Sequence, residues 1–385
     1  MVSLEQAVAA PFATRQLADL GARVIKIERP GTGDFARAYD ETVHGQSSYF
    51  VWLNRSKESI TLDVKSAAGR EILQSLLGMA DVFVQNLGPG AAARLGLDPK
   101  TPSERHPRLI PCAITGYGGF GPWSGRKAYD LLVQCETGLV SVTGTPEEAV
   151  KAGISVADIA AGMYAFSGIL TALFHRAMTS VVRPVEVSLF EALGEWMSQP
   201  ANYARYGGRP PARTGAEHAT IAPYGPYRTT DGGTVLLAIQ NEREWVSFCR
   251  EVLGDESIAM DPRFVRNSTR VAHRAELNAL IDERLGRLTT ETVTKALDRA
   301  RVANARLNTV ADFLEHPVLR ERSRWRDVEI PGGHQVEALV PPVTIEGLEP
   351  RMDPVPALGQ HTDSILAELG FDRDHIERLR SAGVI

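Results

Sequence analysis

Residues Lys151 to Arg176 read KAGISVADIAAGMYAFSGILTALFHR, and this stretch decides how the rest of the chain is arranged. Between residues 159 and 174 no side chain is charged, and Asp158 stands immediately before that run. Large and small apolar residues recur there at helical spacing. The large ones are Ile159, Met163, Phe166, Leu170 and Leu173, and the small ones are Ala161, Ala165, Gly168 and Ala172. The run would span about 24 Å as a helix, too short to cross a bilayer comfortably, so it predicts a buried helix.

Asp158 is the residue of that stretch that can do chemistry. Free backbone N–H groups and the helix dipole stabilise a carboxylate at the amino end of a helix, so an N-cap is its ordinary interpretation. A functional interpretation depends on which other residues accompany it.

The composition limits the kinds of protein this can be. With 385 residues, 43% of them hydrophobic, the chain is long enough for two domains with large cores. The net charge of −5 arises from intermixed acidic and basic residues and argues against nucleic acid as the main partner. Three scattered cysteines match neither a zinc nor a redox spacing and suit a reducing cytosol. With no signal peptide and no membrane span in the pattern, the expected location is cytoplasmic.

Strands alternate with helices along the first half of the chain. Strand patterns occupy residues 2–4, 23–28, 59–64, 81–85, 108–115 and 184–190. Helical patterns lie between them, for example at residues 12–20 and 67–79. This alternation predicts a doubly wound, Rossmann-like parallel sheet with right-handed crossovers. Because the chain begins inside its first strand, an upstream stretch is expected to be missing.

Proline- and glycine-rich passages divide the chain. We predict a large α/β domain at residues 1–198, which binds the ligand and is completed by residues 330–385. A linker at residues 199–222 leads to a smaller α+β domain at residues 223–310, which opens with a hairpin signal around Asp231. Residues 311–329 form the return linker.

Several chemistries lack their motifs. The chain has no G-x-S-x-G, H-E-x-x-H or G-x-x-x-x-G-K-[ST], and its nine histidines make no metal-ligand spacing, so no metal site is expected. GYGGFG at Gly116–Gly121 matches the dinucleotide fingerprint in letters. That fingerprint needs a helix to open directly after it, and Pro122 to Gly125 is a loop pattern, so we do not expect an NAD site.

Basic residues follow several of the predicted strands. Arg37, Lys65, Arg94 and Lys127 each lie near a loop edge. Any one of them alone is more typical of an ordinary surface than of a site. Placed after successive strands of a parallel sheet, they would together line the crevice where such folds bind ligands, and they would suit a ligand with several phosphates.

Seven segments carry a resemblance to a known family. They are LEQAVAAPFATRQLADLGARVIKIERPGTGDFAR (4–37), NRSKESITLDVK (54–65), VFVQNLGPGAAARLGL (82–97), GRKAYDLLVQ (125–134), GISVADIAAGMYAFSGILTAL (153–173), EVSLFEAL (186–193) and GQHTDSILAELG (359–370). In these segments the sequence resembles the family III CoA-transferases, which include carnitine CoA-transferases and formyl-CoA transferase. The resemblance covers essentially the whole chain.

The resemblance implies a role for individual residues. Asp158 falls on the family's catalytic carboxylate. The positions that contact CoA in the family are occupied here by Arg37, Leu62, Lys65, Asn86, Leu87, Arg94 and Lys127. Val8 replaces a glutamine that some members place near the acyl group, and Leu87 replaces a common aromatic residue. Residues 218–227 stand where some transferases have a glycine-rich loop.

The resemblance also implies the reaction. CoA would pass from an acyl-CoA to a carboxylic acid through an aspartyl anhydride and an aspartyl-CoA thioester, with CoA esters as substrates and no tightly bound cofactor. A small, five-carbon dicarboxylic acid is the expected acceptor, and an interlocked homodimer the expected assembly. The nearest alternative is an α-methylacyl-CoA racemase, which has a histidine where this chain has Tyr129, and tyrosine is a poor general base at neutral pH. A non-catalytic acyl-CoA-binding protein is a further alternative, and it would not need Asp158.

Overall fold

The computed structural model describes residues 1–97 and 105–385, which form two compact units. One unit comprises residues 1–138, 152–198 and 318–385, and the other comprises residues 139–151 and 199–317. The assignment of CoA binding to a large domain with the boundaries given above stays a prediction.

Eleven strands are present in the described residues. They are β1 (Val2–Leu4), β2 (Ile25–Glu28), β3 (Glu58–Thr61), β4 (Val82–Gln85), β5 (Ile110–Thr115), β6 (Val185–Ser188), β7 (Tyr224–Arg228), β8 (Thr234–Ala238), β9 (Ala303–Arg306), β10 (Trp325–Ile330) and β11 (His334–Leu339).

The helices are numbered along the described chain. They are α1 (Ala9–Asp19), α2 (Ser48–Asn54), α3 (Ala67–Met79), α4 (Ala91–Arg94), α5 (Asp130–Glu136), α6 (Leu139–Val142), α7 (Val156–Thr179), α8 (Leu189–Trp196), α9 (Ser198–Gly207), α10 (Glu242–Phe248), α11 (Asn267–Ala272), α12 (Arg274–Leu285), α13 (Thr290–Ala300), α14 (Val310–Leu314), α15 (Pro317–Glu321), α16 (Thr362–Glu368) and α17 (Arg373–Ser381). Phe35–Ala38 and Glu256–Met260 are 3₁₀ turns, and Cys249–Leu253 is a π turn.

The first unit is built on a six-stranded parallel sheet in the order β3-β2-β1-β4-β5-β6. Its order reverses between β1 and β4, so the carboxyl ends of these two strands open a crevice where a ligand can bind. The predicted fold class, a mixed α/β protein with a Rossmann-like sheet, is confirmed.

Two predicted boundaries near that crevice are wrong. Helix α1 begins at Ala9 instead of Phe12, because Pro11 lies in the first turn, where its missing N–H would have no partner in any case. Strand β3 ends at Thr61. The N–H of Leu62 still bonds to Glu28 O at the end of β2, but the N–H of Asp63 bonds to Val384 O, outside the sheet.

The long helix α7 packs through its small residues, and its large residues are less buried than the sequence predicts. Ala157, Ala161, Ala165 and Ala172 are buried, and a Cβ at Gly162 would lie 2.7 Å from Ala9 O of α1. Met163, Leu170 and Phe174 are exposed, since the neighbouring backbone can approach closely only along the stripe of small side chains.

Helix α7 is also, within the described residues, a helix long and apolar enough to span a membrane by length and composition. The predicted helical run was shorter because it counted only the residues without charge. The packing of its small residues against α1 is typical of the core helix of a globular unit.

The carboxyl-terminal segment completes the first unit. His361 N donates to Ser59 O and Thr61 N donates to the Thr362 hydroxyl, so the segment attaches along β3. Ile365 and Leu366 of α16 then join the core that covers one face of the sheet. The hairpin of β10 and β11 belongs to the same unit.

The second unit has its own core around the antiparallel sheet β7-β8-β9. Trp245, Phe248, Leu277 and Leu297 are fully buried in it against that sheet. The unit contains helices and an antiparallel sheet, the kind of structure that the sequence predicts here, and the boundaries 223–310 stay a prediction.

Candidate functional site

A cleft of about 370 Å³ lies at the carboxyl edge of the parallel sheet, within the first unit. Its lining contains four of the predicted CoA-contacting residues, namely Leu62, Lys65, Leu87 and Arg94. The other lining residues are Leu4, Glu5, Gln6, Ile27, Glu28, Arg29, Gly33, Asp34, Val64, Arg70, Ala91 and Leu95. Apolar walls with cations at the rim suit a ligand with a flat ring and phosphates.

The cations at this cleft are available to an anion. The side chains of Arg29, Lys65 and Arg94 are exposed and make no hydrogen bond or ion pair with the described part of the chain. Arg70 donates to the Lys65 carbonyl. The sequence analysis missed Arg29, although it directly follows β2, where a parallel sheet presents ligand-binding groups.

Arg37, in contrast, already has a carboxylate partner. Its guanidinium donates to both Glu28 oxygens at 2.8 and 2.7 Å and lies 3.7 Å from the centre of the Phe50 ring. Burial by itself raises the pKa of Glu28, but the hydrogen bonds from Arg37 and Ser59 and the charges of Lys26 and Arg37 together outweigh burial and lower that pKa to about 2. A phosphate at Arg37 would have to share the guanidinium with Glu28.

Asn86 shapes the loop that follows β1. Its side chain accepts from Gln6 N at 2.9 Å and donates to Gln6 O at 2.8 Å. Ala7, which follows Gln6, has a left-handed φ of 62° and donates its N–H to Asp34 Oδ1 at 3.1 Å. Two polar side chains from neighbouring loops therefore fix the backbone that leads into Val8.

That loop approaches the amino end of α7. Val8 is buried together with Phe12 and Leu53, and Ala7 and Ile159 pack against this small cluster. Ile159 follows Asp158 directly, so the β1 loop and the predicted nucleophile lie in the same neighbourhood. The acyl contact at Val8 stays a prediction.

Asp158 lies in the first turn of α7, two residues after the helix begins at Val156. The N-cap residue is Ser155, whose side chain makes no capping hydrogen bond, so the ordinary interpretation of Asp158 as an N-cap is wrong. The backbone donors are instead used by Asp130, whose Oδ1 accepts from Ala157 N at 2.7 Å and from Asp158 N at 3.4 Å. The sequence analysis missed Asp130, although it follows Tyr129 in a segment that carries the family resemblance.

The electrostatics of Asp158 are unusual for an aspartate. Burial, followed by the nearby negative charge of Asp130, raises its pKa to about 7. Raised carboxylate pKa values cluster at functional sites. Burial also raises the pKa of Tyr39 to about 12, with smaller contributions from Asp34, Asp158 and Tyr129, so these groups lie near one another.

The remaining predicted residues stand at the surface of the first unit. Lys127 and Tyr129 are both exposed, Tyr129 to 64%. The residues after Gly116–Gly121 form turns, and the next described helix begins only at Asp130, so the structural context of a dinucleotide fingerprint is missing there. Over residues 1–97 and 105–385, no three His, Cys, Asp or Glu side chains gather as a metal site would require.

Comparison with known proteins identifies the family. The profile described as CoA-transferase family III matches residues 1–362. The chain belongs to this family. A solved structure described as a CAIB/BAIF family protein from Brucella suis is 34% identical, with a TM-score of 0.82 over 96% of this chain and 97% of that one.

Two curated members of the family have named activities. A succinate–glutarate CoA-transferase of Agrobacterium fabrum is 33% identical over 379 residues, which cover 96% of this chain and 94% of that protein. An acetyl-CoA:oxalate CoA-transferase of Acetobacter aceti is 33% identical over 325 residues, 84% of this chain and 83% of that protein. The predicted family and enzyme class are confirmed: the protein is an acyl-CoA:carboxylate CoA-transferase. The roles of individual site residues stay predictions.

Proposed function

We propose that this transferase moves CoA from an acyl-CoA donor to a small dicarboxylic acid, with Asp158 as the covalent carrier. The observation that supports this most is a half-buried carboxylate in the first turn of α7, in a unit that also carries a cleft whose exposed cations suit the phosphates of CoA. Adenosine and the phosphates would occupy the cleft near Lys65 and Arg94. The pantetheine arm would then lead towards Asp158.

The proposed reaction proceeds in four acyl transfers. A carboxylate oxygen of Asp158 attacks the donor thioester carbonyl, the C–S bond breaks, and CoA leaves as a thiolate. The thiolate then attacks Cγ of Asp158 in the mixed anhydride, which releases the donor acid and leaves an aspartyl-CoA thioester. The acceptor carboxylate attacks that thioester, CoA thiolate is expelled again, and the thiolate completes the exchange on the acceptor carbonyl. Asp158 is regenerated, and no ATP is consumed.

A five-carbon dicarboxylic acid is the acceptor that we propose. One relative is named for succinate and glutarate, both unbranched dicarboxylic acids, and another for oxalate. The experiment is a panel in which succinyl-CoA or acetyl-CoA is offered with glutarate, itaconate, mesaconate, citramalate or oxalate. We expect the highest kcat/KM with a five-carbon acid, and a clear preference for oxalate would contradict the proposed acceptor.

A trapping experiment tests the covalent carrier. With acyl-CoA and hydroxylamine, a thioester on Asp158 becomes a hydroxamate that mass spectrometry detects in the peptide containing residue 158. The racemase alternative predicts no such adduct and instead exchange of the α-proton of a branched acyl-CoA in heavy water. Fast exchange with an unmodified Asp158 would contradict the transferase mechanism.

We also propose a homodimer in the cytosol. The support for a dimer is the exposed apolar surface at the carboxyl half of α7, where Phe174 is 69% and Met178 is 71% exposed. The cysteines of the chain, Cys112, Cys135 and Cys249, are unpaired, as in proteins of reducing compartments. Light scattering on the purified protein measures its mass, and a monomer at micromolar concentration would contradict the dimer.

A further inference from the structure

A second carboxylate, Asp130, lies beside Asp158, and neither forms an ion pair with a cation in residues 1–97 and 105–385. Asp130 is the first residue of α5 and reaches across to the amino end of α7, where its Oδ1 accepts from Ala157 N at 2.7 Å and from Asp158 N at 3.4 Å. It thereby uses the helix-end donors that would otherwise stabilise negative charge on a carboxylate in that first turn.

Asp130 is itself held firmly. Its Oδ2 accepts from Gln134 Nε2 at 2.7 Å, and Gln134 Oε1 accepts from Ala152 N at 2.9 Å. Gln134 is fully buried, so its amide has no alternative partner in water. The arrangement ties α5, the segment before α7 and the first turn of α7 into one hydrogen-bonded unit.

Other ionisable groups near Asp158 leave this pair uncompensated. The pKa of Tyr39, which follows the 3₁₀ turn after β2, is raised by burial, so its phenol is neutral at neutral pH. Burial, and after it the charge of Asp130, raise the pKa of Asp158, and no cation within the described residues lowers it. Two carboxylates held at adjacent helix ends without a cation repel each other when both are ionised.

We infer that Asp130 is a positioning residue that sets the first turn of α7 and, by its negative charge, drives Asp158 towards its uncharged covalent states. This inference rests on the proposed function. When Asp158 attacks the thioester, the negative charge leaves with the CoA thiolate, and the anhydride oxygen is neutral. When the thiolate attacks Cγ and the acid leaves as a carboxylate, the aspartyl thioester is neutral as well. Repulsion from Asp130 therefore destabilises free Asp158 but neither covalent state.

The test separates the charge of Asp130 from its hydrogen bonds. Asp130→Asn removes the charge and keeps an oxygen that can accept from Ala157 N, but its amide nitrogen replaces the oxygen that accepts from Gln134 Nε2. We expect the acidic limb of the pH–rate profile to move by about one pH unit to lower pH, and the trapped hydroxamate on residue 158 to fall severalfold. Gln134→Leu loses the same bond without a change of charge and is therefore the matched control. Gln134→Leu keeps the charge of Asp130 and removes the hydrogen bond that holds it, so this variant should have a lower kcat. The midpoint of its acidic limb should stay within about 0.3 pH unit of the parent.

A readout that does not depend on turnover keeps this proposal separate from the proposed function. The infrared carbonyl band of the protonated Asp158 carboxyl is obtained as the difference between the parent and Asp158→Asn, and is titrated with pH. In the Asp130→Asn background the titration midpoint should fall by the same one unit. An unchanged midpoint would overturn the role of Asp130 even in an active transferase, whereas an active Asp158→Ala variant would overturn the proposed function instead. If Asp130→Asn does not fold, Asp130→Ser takes its place. The same fall in the titration midpoint is expected, and an unchanged midpoint would again contradict the role of Asp130.

Discussion

Two groups of carboxylates in the first unit have opposite electrostatics. In the lining of the cleft, Glu5 and Asp34 are paired with lysines: Lys57 Nζ lies 2.8 Å from Glu5, and Lys26 Nζ lies 2.7 Å from Asp34. At the amino end of α7, Asp158 faces another carboxylate, Asp130.

The consequences for ionisation differ accordingly. Burial by itself would raise the pKa of Glu5, but Lys57 and Lys26 outweigh burial and lower it. Burial raises the pKa of Asp158 to about 7, and Asp130 adds to that effect. The compensated carboxylates hold loops in place, whereas the uncompensated one is the carboxylate that we propose as the covalent carrier. The comparison teaches that burial alone does not decide the pKa of a carboxylate. A neighbouring cation lowers the pKa of a structural carboxylate, and the pKa rises where no cation is present.

Removing the uncompensated carboxylate should have the largest effect. Asp158→Ala is expected to reduce transfer to below about 1% of the parent rate, because the proposed covalent carrier is lost. CoA affinity and the unfolding temperature should change little. Asp312→Ala, which alters a first-turn aspartate in α14 of the second unit, is the matched control. Turnover above a few per cent in Asp158→Ala would remove this residue from the mechanism.

Removing a lysine from the compensated group should lower the stability of the fold. Lys26 is fully buried and bonds both Asp34 and Asn54, so Lys26→Met leaves a buried carboxylate without its partner. We expect the free energy of unfolding to fall by about 3–5 kcal/mol in urea titrations. Lys295→Met, which breaks an exposed pair with Glu291, should cost less than about 0.5 kcal/mol. Equal losses in the two variants would contradict the structural role of the buried lysine.

The cations of the cleft give the next prediction. Replacing Lys65 or Arg94 by Ala should raise KM for CoA esters about tenfold to a hundredfold, since each lost charge-assisted hydrogen bond contributes about 1.5–3 kcal/mol. KM for the acceptor acid should stay nearly constant. A truncated pantetheine ester, which lacks the nucleotide, provides the control. A similar rise in KM with that ester would mean that the residue supports the structure and does not hold a phosphate.

The smallest expected effect is on pH-dependent stability. The Asp158 carboxyl ionises at its ordinary pKa of 3.8 in the unfolded chain and near 7 in the folded protein. Between these values the folded state binds the extra proton, so this group makes stability fall as pH rises from about 4 to about 7. Asp158→Asn should therefore be more stable than the parent by about 1–2 kcal/mol at pH 8. At pH 4 the difference should be near zero. Urea titrations at both pH values measure it, and a difference independent of pH would contradict the raised pKa.

The sequence by itself determined the family, the order of strands and helices and the presence of the long helix. These features follow from short-range information: alternating apolar patterns, proline and glycine at boundaries, and motifs read within a few residues. Lys65 and Arg94 were also predictable, because parallel strands bring the residues that follow them to one edge.

Only the tertiary structure decided which charges face one another. Asp130 is 28 residues from Asp158, yet it accepts from that residue's N–H, and Arg37 is paired with Glu28. Nothing in local spacing distinguishes a paired arginine from an exposed one, or an N-cap aspartate from one whose donors are taken by another helix. The physical reason is that pKa and ion pairing depend on distances and burial across the fold, which sequence patterns along one element do not encode.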